Sequence, residues 1–128
     1  MNTYVTNTPT RPVPVWIVDS APPTGTMVYS TALEASRVLK PSAGTLISVT
    51  VTNTRNGQQF AQLFDAASVP ADNAVPLASF RLSATDARTF DVPITGLAFS
   101  TGIVICNSST QATKTIGSAD CLFLAEIR

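Results

Sequence analysis

At 128 residues, with 45% hydrophobic and 12% charged side chains, the chain is long enough for one domain with a real core and too short for two. Eight Lys and Arg balance eight Asp and Glu for a formal net charge of zero. The basic residues are scattered singly from Arg11 to Arg128, which argues against a surface that tracks nucleic-acid phosphates. No run of about 18 apolar residues is present to span a membrane as a helix.

The first 26 residues, MNTYVTNTPTRPVPVWIVDSAPPTGT, hold Pro9, Pro12, Pro14, Pro22 and Pro23 and the lone tryptophan, Trp16. Proline fixes φ and removes a backbone donor, so this segment is expected as an extended arm over residues 1–26 rather than a helix. Within it, Val13-Pro14-Val15-Trp16-Ile17-Val18 is apolar, and extended apolar backbone is costly in water unless something covers it and pairs its amides. The cover would be the domain's own body, a neighbouring copy or a larger partner. Val13, Val15 and Ile17 face one way, Pro14, Trp16 and Val18 the other. Trp16 reads equally well as a plug pinning the arm to its own domain and as an anchor in a neighbour's pocket, where Trp is enriched; stacking on a sugar is the lesser reading. The start lacks the basic-then-apolar order of a secretory signal, so folding in a cytoplasm is expected.

The remainder, 27–128, reads as short strands. Met27–Leu33 and Ser36–Lys40 flank a break near Glu34; a short helical competitor, Thr31–Leu39, ends at Pro41. In Gly44–Asn53 (GTLISVTVTN), Ile47, Val49 and Val51 share one face by strict alternation. Arg55-Asn56-Gly57 then predicts a tight hairpin turn with positive φ, and Gln59–Asp65 the returning strand. Ala66–Pro76 is a long loop. Leu77–Leu82 and Arg88–Val92 predict a second hairpin around Ser83–Ala87. Pro93–Thr101 crosses over. Gly102–Cys106 (GIVIC) and Cys121–Ile127 (CLFLAEI) are continuous apolar runs, expected as central strands covered on both faces. The spacing predicts an all-β fold: an antiparallel two-sheet sandwich, a jelly roll of about eight strands, with an extended N-terminal arm. An immunoglobulin-like sandwich is the alternative, but Trp16 precedes both cysteines.

Chemistry is sparse. There is no histidine, which removes the commonest general base, most Ser or Cys triads and most zinc sites. No phosphate-cradling Gly motif is present. Asp65, Asp72, Asp86, Asp91 and Asp120 lie at strand ends or in loops, where Asp bonds local backbone. Calcium binding at Asp72 and Asn73 is weighed and set aside for want of alternating oxygen ligands. Phe60, Phe64, Phe80, Phe90, Phe99 and Phe123 fall in or beside strands and are expected in the core rather than as a sugar-stacking platform. Cys106 and Cys121 are expected as buried thiols, since a cytoplasm is reducing. They lie equally far from the Thr113–Lys114 midpoint, so a symmetric hairpin would oppose them, and a bridge is the alternative. No catalytic residue, metal or cofactor is expected.

Arg11–Thr26 (RPVPVWIVDSAPPTGT) ahead of a small β domain resembles the start of minor structural proteins of tailed bacteriophages. Leu63-Phe64-Asp65-Ala66, Val69-Pro70-Ala71-Asp72, Ser100-Thr101-Gly102-Ile103-Val104 and Asn107-Ser108-Ser109 are similar to the bodies of such proteins, including capsid cement or decoration proteins. The resemblance implies a non-enzymatic virion component, assembled in the bacterial cytoplasm as symmetric copies. It would bind other copies of itself and the major capsid protein or another virion protein, with no nucleic acid or membrane partner. Val13, Val15, Trp16, Ile17 and Val18 are the candidate partner-binding residues, through strand addition to a neighbour's edge. A receptor- or glycan-binding module of a tail or fibre is the competing expectation.

Overall fold

In the computed structural model, which describes residues 25–128, the apolar runs become nine strands. They are β1 (Thr26–Tyr29), β2 (Ser36–Lys40), β3 (Gly44–Asn53), β4 (Gln59–Asp65), β5 (Ala78–Leu82), β6 (Asp86–Phe90), β7 (Leu97–Phe99), β8 (Ile103–Ser108) and β9 (Cys121–Ile127). No helix occurs among the described residues, and the helical competitor at Thr31–Leu39 is a bend followed by β2. The predicted first strand stops at Tyr29; Glu34, near the predicted break, makes an isolated bridge to Cys121.

All pairings are antiparallel and fall into two sheets. One has the order β1-β9-β3-β6, with the short β7 also pairing β3; the other has the order β2-β8-β4-β5. The partners nest: β1 pairs β9, β2 pairs β8, β3 pairs β6, and β4 pairs β5. The chain is therefore a long hairpin rolled over into two layers, with residues 66–77 at its closed end.

That nesting corrects both predicted hairpins. β3 and β4 lie in different sheets, as do β5 and β6, so the Asn-Gly turn and Ser83–Thr85 are corners between layers. Neither Asn56 nor Gly57 has positive φ; among described residues only Asn73, Thr85 and Gly96 do. The first corner is organised by Asn53, whose Oδ1 accepts from the Arg55 amide at 3.0 Å and whose Nδ2 donates to the Gly57 carbonyl at 3.0 Å. A side chain that ties down its own turn removes the need for a primed turn.

The alternation predicted for β3 is also broken. Glu126 pairs Ser48 but Ile127 pairs Leu46, which leaves Ile47 as the extra residue of a β-bulge. Beyond the bulge the parity inverts, so Leu46, Val49 and Val51 are fully buried while Ile47 is only half-buried. The bulge also sits where β3 exchanges one edge partner, β6, for the other, β7. Gly96 enters β7 with φ of 87°, and a Cβ there would lie 2.4 Å from Thr45 Cγ2, so both the turn and its approach to β3 require glycine. In β2 the register also shifts between Val38 and Lys40, while Val38 faces the outer cluster and Leu39 the core, as ordinary alternation places them.

The core lies between the sheets. Leu46, Val49, Val51, Phe123, Ala125 and Ile127 from one layer meet Ala61, Leu63, Phe80, Leu82, Ile103 and Ile105 from the other. Each large side chain so buried contributes about 1.5–3 kcal/mol of transfer free energy. β8 is buried along its whole length, as its unbroken apolar run predicts. β9 is not: Cys121, Phe123, Ala125 and Ile127 are buried, but Leu122 and Leu124 point outward and are exposed. Its run is covered on one face only, which corrects the expectation of a strand covered on both.

Candidate functional site

The predicted partner-binding residues Val13, Val15, Trp16, Ile17 and Val18 lie outside the described residues, as does the rest of the expected arm up to residue 24. The described residues present two surfaces, the outer faces of the two sheets, and these are built in opposite ways.

The outer face of β2-β8-β4-β5 is capped. Residues 66–77 and 109–116 cross over it and bind each other: the Asn73 amide donates to the Lys114 carbonyl, and the Lys114 amide to the Ala74 carbonyl, both at 2.8 Å. The Lys114 ammonium, with only 4% of its side chain exposed, donates to Asp72 Oδ1 at 2.7 Å, and the Ile116 amide joins the same oxygen at 3.1 Å. Lys114 first and the Ile116 amide second hold the Asp72 carboxyl below its ordinary pKa. Gln62 Nε2 reaches out of β4 to the carbonyls of Thr110, Gln111 and Thr113 at 2.9, 2.9 and 3.1 Å. Beneath the cap Phe64, Val104 and Cys106 form a second small apolar cluster. At its margin a cleft of about 410 Å³ opens between Phe64, Asp65, Pro70, Ala74, Val75 and Leu77. Asp72, weighed as a calcium ligand, is engaged by Lys114, and among the described residues no three His, Cys, Asp or Glu side chains group as a metal site.

Two more polar devices hold this architecture. Asp65 caps the turn between β7 and β8, accepting from the Ser100 amide and hydroxyl at 3.1 and 2.8 Å and from the Thr101 and Gly102 amides at 2.8 and 3.3 Å. The Thr101 amide, then the Ser100 amide, lower its carboxyl pKa to about 2. At one end of the sandwich a chain of buried amides joins the layers: Asn107 Nδ2 donates to Gln59 Oε1 at 2.6 Å, and Gln59 Nε2 to Asn53 Oδ1 at 2.8 Å. Such groups are costly to bury unpaired, so the chain fixes the relative position of the sheets.

Cys106 and Cys121 are both buried free thiols, as predicted. The hairpin that would oppose them does not exist, because β8 and β9 lie in different sheets. Cys106 packs in the capped outer cluster and Cys121 in the core between the sheets. Desolvation raises their pKa values to about 11 and about 12.

Among the described residues, nothing caps the outer face of β1-β9-β3-β6. The register aligns Tyr29 with Leu124, Met27 with Glu126, Leu122 with Thr52, and Leu124 with Thr50. Side chains opposite one another share a face, so Met27, Tyr29, Leu122 and Leu124 form one exposed apolar patch flanked by threonines of β3. Their exposures of 50, 58, 37 and 46% are high for a cluster of large apolar groups. β1 is the edge of this sheet and has no strand on its far side among the described residues. Residues 1–24 join the described chain here. A Cβ on Gly25 would fall within 2.1 Å of Glu126 Oε2, so the chain reaches β1 alongside the Glu126 side chain, which belongs to the patch face. Sequence reading missed this patch. Its signal was the alternation inside CLFLAEI, hidden because both of its faces are apolar. No protein-family model matches the chain, and neither curated proteins nor solved structures yielded a match.

Proposed function

We propose that this protein is a non-catalytic structural component of a tailed-phage virion, a cement or decoration protein that fastens capsid subunits together. In this reading it is made in the bacterial cytoplasm and acts as multiple copies bound to one another and to the major capsid protein. The resemblance of the Pro-Val segment and of the body motifs supports it, and so does the winding, since nested partners of this kind are what a jelly roll has. The observation that carries it is the apolar patch, left without a cap by the described residues, beside the edge strand where the N-terminal segment joins. A surface of that kind suits a protein that works packed against others. Binding the assembled shell and not free subunits would stabilise the shell by linkage. The test is co-sedimentation of the full chain with particles that lack it, followed by heating: binding that raises the disruption temperature of the shell is expected, and no binding would end the reading.

A second reading, a glycan- or receptor-binding module, is favoured by Tyr29, an aromatic ring more than half exposed on that face. Tyr29→Ala would then abolish retention on host-cell glycans without affecting particle binding.

A further inference from the structure

We propose that the patch formed by Met27, Tyr29, Leu122 and Leu124 is the receiving site for the Val13–Val18 segment of a second copy of this chain, which adds as a strand on the free edge of β1. This rests on the assembly reading above and gives it a specific contact.

The fold holds an apolar surface that no other described residue covers, and the sequence holds an apolar segment that could complement it. One is the patch, 37–58% exposed at its four members. The other is the run Val13-Pro14-Val15-Trp16-Ile17-Val18, uncharged throughout. The edge of β1 offers backbone groups for strand addition, while alternate side chains of the added strand lie over the patch. Pro14 lacks a backbone donor, which an edge position tolerates and a central strand does not. The flanking surface carries Ser48, Thr50 and Thr52, and the Thr50 and Thr89 hydroxyls satisfy each other at 2.8 Å, which lowers the cost of covering that pair.

The connection decides between the chain's own segment and a neighbour's. Residues 19–25, DSAPPTG, are all that separates Val18 from Thr26. A link that short can return a strand to its own β1 only as an antiparallel hairpin, because a parallel return needs a dozen residues or more. The tandem Pro22-Pro23 opposes that reversal: both prolines have fixed φ, and each biases the residue before it, Ala21 and Pro22, toward extended backbone. A short hinge that resists closing favours exchange between copies.

The experiment uses the full chain. Position 16 carries a photo-crosslinking phenylalanine in place of Trp16, and equal amounts of light- and heavy-isotope protein are mixed before irradiation. Crosslinked peptides that join position 16 to the Met27–Tyr29 or Leu122–Leu124 segments, with mixed isotopes, are expected. Crosslinks only within chains of one isotope, crosslinks to other parts of the sandwich, or none at all would overturn the proposal. In parallel, Leu124→Glu should leave the β circular dichroism unchanged, since Leu124 is outside the core, and should weaken self-association in sedimentation by at least about tenfold. Undiminished self-association overturns the proposal as well. Arm exchange without particle binding would sink the virion reading and leave the exchange standing; particle binding without exchange would do the reverse.

Discussion

Asp65 is exposed, yet its two oxygens accept from four donors across the β7–β8 turn. It holds Ser100–Gly102 against the end of β4, where Gly102 is needed because a Cβ would lie 2.4 Å from the Ala66 carbonyl. Its pKa is depressed in the folded protein, so the stability it supplies is complete above the ordinary value of 3.8 and is lost as pH falls toward about 2. Asp65→Asn should lower the thermal midpoint at neutral pH, and the gap from the unmodified protein should close over that acid interval. A gap that stays constant from neutral pH down to about 2 would show that the ionised carboxylate is not the stabilising form. That Asp65 would bond backbone was legible in the sequence, since Asp at a strand end does so. Which backbone was not, because its partners lie 35–37 residues away.

Within the elements, the bulge in β3 makes a prediction opposite to that of simple alternation. By pattern, Ile47 shares the buried face with Val49 and Val51; in the fold, Leu46 takes that place. Leu46→Ala should therefore cost about 2–5 kcal/mol, as a cavity in a packed core does. Ile47→Ala should cost clearly less, measured by denaturant unfolding of both variants. Equal losses would place Ile47 in the core after all. The loops over the second sheet behave as one element because Lys114, Asp72 and the paired backbone of Asn73 and Ala74 tie them together. Lys114→Ala should loosen this cap and expose Cys106, while Cys121, in the central core, stays protected. In the unmodified protein neither thiol should alkylate readily, since both are buried and their pKa values are raised well above neutrality. Thiol labelling followed by peptide mapping checks both statements, and equal acceleration at the two cysteines would mean global loosening rather than an opened cap.

For the whole molecule, residues 25–128 contain both sheets and the core between them. Removing residues 1–24 should thus leave a domain that unfolds in one cooperative transition with unchanged β circular dichroism, but with self-association lost. Loss of folding would assign the segment to the core and return Trp16 to the role of a plug on its own domain. The sequence by itself determined the all-β class, most strand positions and the burial of both cysteines, because these follow from local periodicity, turn residues and apolar runs. Which strands pair was decided only in three dimensions. The Asn-Gly corner and Ser83–Thr85 connect layers rather than neighbours, and a turn's residues do not record which sheet the next strand joins. The same holds for β9: Leu122 and Phe123 are equally apolar, and only the position of the opposing sheet makes Phe123 core and leaves Leu122 and Leu124 as a surface for something else to cover.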